Sequence, residues 1–136
     1  MVDSNTRWRQ RFSSYKRALS SLRRFIEKES LNELEALGSI HAFETTLYFA
    51  GQLLRDYAKA QNIHNIYGPK DATRAASNLG LIHELDIWLE MLRTRSQEHE
   101  LYRTEVVETI STDIRERFFN PMVLLQNKMQ LIYDAS

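Results

Sequence analysis

The chain has no cysteine. That excludes thiol nucleophiles, disulfides and zinc–thiolate sites, and it fits a reducing compartment. An excess of one charge is also missing. Lys and Arg total 18 and so do Asp and Glu, so no global field draws the protein to nucleic acid or to a membrane. No apolar run approaches the roughly 18 residues of a spanning helix. The opening segment Met1 to Arg9 carries no apolar stretch of the secretory-leader kind, so a cytoplasmic protein without a membrane partner is expected. There is no Gly-rich phosphate loop and no Gly-x-Ser-x-Gly turn, which removes the familiar nucleotide-binding folds and hydrolase triads. The four His, at 41, 64, 83 and 99, form neither a His-Glu-x-x-His pair nor the carboxylate–His pattern of di-iron bundles. No metal and no cofactor are expected.

Glycine and proline are scarce too, 4 and 2 in 136 residues, and helical spacing fills what lies between. Trp8, Phe12, Tyr15, Leu19, Leu22 and Ile26 recur in threes and fours. So do Ile40, Phe43, Leu47, Ala50, Leu54 and Tyr57. Gly38-Ser39 is expected to separate these two helices, with Ser39 as an N-cap. A loop is expected over 62–68, then a short helix opened by Pro69 and closed by Gly80. Leu81, Leu85, Trp88 and Leu92 begin a fourth helix, and Val107, Ile110, Ile114 and Phe118 carry a fifth. Met122, Leu125, Met129 and Ile132 follow Asn120-Pro121, which either starts a last helix or kinks a long one. No strand-like alternation competes. The fold expected is one all-α domain over 1–136, an antiparallel up-and-down bundle of four or five helices with Trp8 and Trp88 buried.

Two charge patterns stand out. Between Arg7 and Arg24 lie seven basic residues and no acidic one (Arg7, Arg9, Arg11, Lys16, Arg17, Arg23, Arg24), a face for RNA, a nucleotide or an acidic protein unless it is simply solvated. In the second, the apolar stripe through Trp88 runs into Arg93, Arg95, His99 and Tyr102. The four-residue spacing of Arg95 and His99 would put guanidinium and imidazole on one side of a continuing helix. Such a cluster binds phosphate or moves a proton, or else it is a solvated helix end. Glu44, at the edge of the second stripe, is expected to be either exposed or half-buried and paired, with Arg74 or another Arg, and such a pair would fix helix register.

In order and spacing, several elements resemble the nucleotidyltransferase substrate-binding proteins, a branch of the HEPN superfamily. They are Arg7-Trp8-x-Gln10-Arg11-Phe12, Tyr15-x-x-Ala18-Leu19-x-x-Leu22, Ala42-Phe43-Glu44-x-Thr46-Leu47 and Leu54-x-Asp56-Tyr57. Gly68-Pro69, Arg74-Ala75-Ala76, Gly80-Leu81-Ile82 and the stretch from Trp88 through Arg95 to Tyr102 complete the series. The resemblance implies a helical bundle, usually a homodimer, working with a separate minimal nucleotidyltransferase encoded beside it in prokaryotes, in some cases as a toxin–antitoxin pair. It also implies that an Arg-polar-x-x-x-His-x-Tyr motif can form a metal-independent ribonuclease. There His would be acid or base on the 2′-hydroxyl, Arg would hold the phosphorane, and the Tyr would be open to adenylylation.

Here the motif positions fall on Arg95, Ser96 and Tyr102, but Glu100 stands where His belongs and His99 comes one residue early. On a helix that is a turn of about 100°. Arg93 with His99 fits only a looser form of the motif. Gly51 stands where the family commonly has Trp. The expectation is therefore a subunit that binds a nucleotidyltransferase and helps present its nucleotide or substrate. The alternatives are a ribonuclease toxin neutralised by that enzyme, acting on RNA, or a structural dimer with neither activity.

Overall fold

The computed structural model describes residues 3–136; Met1 and Val2, the first residues of the segment read for a leader, lie outside the described residues. Helix α1 (Ser4–Ile26) starts where the Asp3 carboxylate accepts the Thr6 amide at 2.8 Å, and it buries Trp8, Phe12, Tyr15, Leu19 and Leu22 along one stripe. Its last carbonyls, of Phe25 and Ile26, accept the guanidinium of Arg115 at 3.3 and 2.7 Å, which satisfies a helix end that has no further turn.

Helix α2 (Glu33–Ala60) begins five residues before the break expected at Gly38-Ser39. Asn32 and Glu35 close a reciprocal capping box, and the helix runs straight through Gly38-Ser39. Ser39 is no N-cap: it is buried, and its hydroxyl donates to the Ala36 carbonyl at 2.7 Å. Gly38 serves packing rather than termination, because a Cβ there would sit 3.0 Å from the Phe25 ring. The glycine lets the end of α1 press against α2.

The next breaks fall where the sequence placed them. α2 ends in a Schellman turn with Asn62 at φ 65°, where the Asn62 and Ile63 amides donate to Lys59 and Ala58 carbonyls. α3 (Pro69–Asn78) takes Pro69 as its first residue and closes the same way on Gly80 at φ 76°. Leu81 and Ile82 are buried in the turn that follows, so α4 (Leu85–Arg95) starts later than Leu81 and ends at Arg95. A short 3₁₀ turn, Glu98–Glu100, leads to α5 (Thr104–Asp113).

From Thr104 to Ala135 the chain is helical without interruption. A π turn over Ile114–Phe118 joins α5 to α6 (Phe119–Ala135). Pro121 has no N–H to offer the carbonyl one turn back, and its ring crowds that carbonyl. The wider turn, in which the Phe119 amide reaches Ile114, falls just before it. Of the two expectations for Pro121, a modified long helix is the outcome. The bundle is thus five helical rods, and no strand occurs among the described residues.

α2 is the most connected rod, meeting α3, α4 and α5 as well as α1, and α1 lies along it. α1 runs antiparallel to α2, with Trp8 edge-on to Tyr57 at 5.3 Å near one end and Phe25 against Gly38 at the other. It is also antiparallel to the α5–α6 rod: Arg9 meets Ser136, the buried Tyr15 hydroxyl donates to the Met122 carbonyl at 2.7 Å, and Arg115 meets Ile26. Phe43 and Phe118 stack at 5.4 Å between α2 and the π turn. Trp8 and Trp88 are both buried. One charge enters this core. Asp56 is 1% exposed and accepts Arg11 Nε at 3.1 Å, while Arg55 Nε lies 3.6 Å from its other oxygen.

Candidate binding site around Arg95

The end of α4 decides where the sequence candidates go. Residues 95–100 offer no apolar side chain to extend the buried stripe, and Glu98 and Glu100 carry negative charge to the negative end of the helix dipole. The Ser96 hydroxyl donates back to the Arg93 carbonyl at 2.6 Å and closes the last turn. The chain then leaves the helix axis. The one-turn relation expected between Arg95 and His99 therefore does not exist, because no helical turn joins them.

Arg95 itself lies where three hollows meet. One, about 360 Å³, runs between α2 and the start of α3 and is lined by Tyr48, Gly51, Gln52, Arg55, Tyr67 and Gly68, among others. A shallower one of about 410 Å³ adjoins it over Tyr67–Asp71 and Leu92. The third is a narrow crevice with Glu44, Glu98 and Leu101. Arg95 forms no ion pair or hydrogen bond among the described residues, so its guanidinium is uncommitted.

Glu44 is half-buried beside it. Burial holds its carboxyl above the usual range, the Glu98 charge adds to that, and His41 and Arg95 pull the other way. Arg74 is not its partner: it is exposed on α3, and none of the ion pairs among the described residues includes it.

The other candidates lie outward. Arg93, Ser96 and His99 are exposed, and Tyr102 is 84% exposed in the turn before α5; none of the four lines a hollow that Arg95 shares. Among the described residues, no three His, Asp or Glu gather as metal ligands would.

The basic run of α1 is largely engaged inside the molecule. Arg11 holds Asp56, Lys16 bonds Gln130 and lies over the Phe12 ring, Arg9 covers Trp8 and Tyr133, and Arg23 covers Phe119. Arg7, Arg17 and Arg24 remain exposed.

Over residues 10–131 the sequence matches the family described as nucleotidyltransferase substrate binding protein like. The chain belongs to that family. The match reaches every helix of the bundle, from Gln10 within α1 to Leu131 within α6, and with it Glu44, Arg74, Arg95 and Tyr102. Comparison with curated proteins gave no match. Among the described residues of this substrate-binding-like protein, no helix is long and apolar enough to cross a membrane.

Sequence reasoning missed the groove beside Arg95. Tyr48, Gly51, Arg55 and Tyr67 belong to no single periodic pattern, and only the crossing of α2 and α3 brings them together. Asp56 did carry a signal, since an aspartate interrupts the apolar run of Leu53, Leu54, Tyr57 and Ala58. A charge at such a position is buried only when paired.

Proposed function

We propose that the protein is a non-catalytic helical subunit that binds a separate minimal nucleotidyltransferase and holds that enzyme's substrate at Arg95. The observation that carries this reading is the uncommitted guanidinium at the meeting of three hollows, within a chain of the substrate-binding-like family. A free Arg fork with half-buried walls is suited to phosphate or carboxylate. The exposed turn with His99 and Tyr102 is then the surface nearest the partner enzyme. Two copies acting as a homodimer, and a prokaryotic toxin–antitoxin setting, belong to the same proposal. The ribonuclease alternative needs imidazole and guanidinium at one phosphate. Within one protomer His99 shares no hollow with Arg95, which favours the binding subunit.

The test is complex formation with the nucleotidyltransferase encoded beside this chain, measured by calorimetry with and without ATP. Arg95→Ala should weaken nucleotide-dependent association by roughly tenfold or more, the loss of a charged hydrogen bond. Unchanged association would overturn the reading. Cleavage of RNA without divalent metal, abolished by His99→Ala, would put the ribonuclease in its place. An adenylate mass added by the transferase and lost in Tyr102→Phe would mark Tyr102 as facing that enzyme's active site.

A further inference from the structure

The hollow between α2 and α3 is built for more than an anion. Its floor is Gly51, in the middle of a 28-residue helix, and no atom lies within 4 Å of the place a Cβ would occupy. A mid-helix glycine is unfavourable for the helix, and here nothing packs into the notch it leaves. Two exposed tyrosines line the notch, Tyr48 at 51% and Tyr67 at 88%. Ring faces left in water beside an open notch are surfaces for a flat, partly apolar group.

The opposite requirement is met by cations. Arg95 is uncommitted. Arg55 gives one terminal nitrogen to Gln52 Oε1 at 2.8 Å and has a buried Nε without a hydrogen-bond partner. Asp56 accepts Arg11 on one oxygen at 3.1 Å and pairs with Arg55 Nε at 3.6 Å through the other, so what Arg55 offers a ligand is its outer guanidinium edge. Lys70 and Asp71 line the adjoining hollow, and the Asp71 carboxylate is turned to the Tyr67 amide at 3.0 Å. The volume of about 360 Å³ lies within the roughly 300–1,000 Å³ usual for small-molecule sites.

The other hollows lack this combination. The one between the α1–α2 turn and α5 presents Glu33, Glu108 and Glu116, and its Arg115 is engaged by Phe25 and Ile26 carbonyls. The one beside Trp88 is apolar and smaller, about 210 Å³.

We propose that the hollow between α2 and α3 binds a nucleoside monophosphate, its phosphate held by Arg55 and Arg95 and its base laid against Tyr48 and Tyr67 over Gly51. Gln52 keeps its amide N–H₂ free for an acceptor on the base. This rests on the reading of Arg95 as the ligand-facing cation and gives that site a ligand class.

Calorimetry on the purified full chain tests it, with AMP, GMP, CMP and UMP as probes beside adenosine and inorganic phosphate. At least one monophosphate should bind saturably, and its nucleoside and phosphate alone at least tenfold more weakly. Gly51→Leu, which fills the notch, should abolish binding while leaving the thermal midpoint unchanged or higher. Tyr67→Ala, at an exposed position, should weaken binding fivefold or more. Absence of binding for all four, phosphate as tight as the nucleotide, or indifference to both substitutions would each overturn the proposal. Capture of the partner transferase by the unsubstituted chain separates the two claims. Capture intact without nucleotide binding sinks only the ligand, whereas nucleotide binding with Arg95-independent capture sinks only the proposed function.

Discussion

Removing Arg11 should harm the protein more than removing the charge that Arg11 holds. Asp56 is 1% exposed, and its one hydrogen bond comes from Arg11 Nε at 3.1 Å, whereas the Arg11 side chain is 34% exposed. In Arg11→Met the packing of the stem is kept and a carboxylate is left buried with Arg55 Nε at 3.6 Å. Breaking a buried pair from this side costs about 3–5 kcal/mol. Closer approach by Arg55 would recover about 1.5–3 kcal/mol through one charged hydrogen bond, so the net loss is about 2 kcal/mol. Asp56→Asn instead leaves two arginines that water reaches, for a loss of about 1 kcal/mol. The double variant Arg11→Met/Asp56→Asn should therefore be no less stable than Arg11→Met alone, since the second change removes the stranded charge. Urea unfolding followed by circular dichroism and tryptophan fluorescence gives all three values. Strictly additive losses would refute the pairing argument, as would an Asp56→Asn variant less stable than Arg11→Met.

The two helical glycines of α2 should respond oppositely to alanine. Gly51→Ala meets nothing within 4 Å and should stabilise by about 0.5–1 kcal/mol, whereas Gly38→Ala must displace the Phe25 ring at 3.0 Å and should lose about 1 kcal/mol in the same unfolding assay. Equal gains at both sites would mean that the Phe25 contact is not tight. Burial raises the Tyr15 hydroxyl well above its ordinary range. Its contribution is therefore intact below pH 10 and is lost as pH rises beyond that, when only the unfolded chain ionises, by up to about 1.4 kcal/mol per pH unit. Tyr15→Phe should lose about 0.5–1.5 kcal/mol at neutral pH, where the bond to the Met122 carbonyl goes, and should show a shallower alkaline decline than the parent. Identical alkaline slopes would remove Tyr15 from that account.

Much of the fold was legible because helix burial is periodic. The stripes through Trp8, Phe43, Trp88 and Ile110 face one core, and Pro69 opens a helix while Asn62 and Gly80 end helices through local backbone geometry that depends on little beyond themselves. Gly38-Ser39 misled for the complementary reason. A glycine reads as a break unless a neighbouring helix needs the space, and the neighbour here is Phe25, thirteen positions earlier in the chain. The capping box at Asn32 and Glu35 was present in the sequence and would have placed the true start of α2.

The sequence alone determined the class of structure, the buried faces and the presence of a charged segment after Trp88, because these follow from composition and local spacing. Only the tertiary structure decided which charges are free. Arg11, in the basic run, is tied to Asp56, and Arg95 is left uncommitted although Glu44 lies beside it. Nor could spacing show that Gly51, from the middle of one helix, and Tyr67, from the loop before the next, share one hollow. Pairing and cavity formation depend on how helices cross, and a crossing is set by the sum of many packed side chains rather than by any motif within one of them.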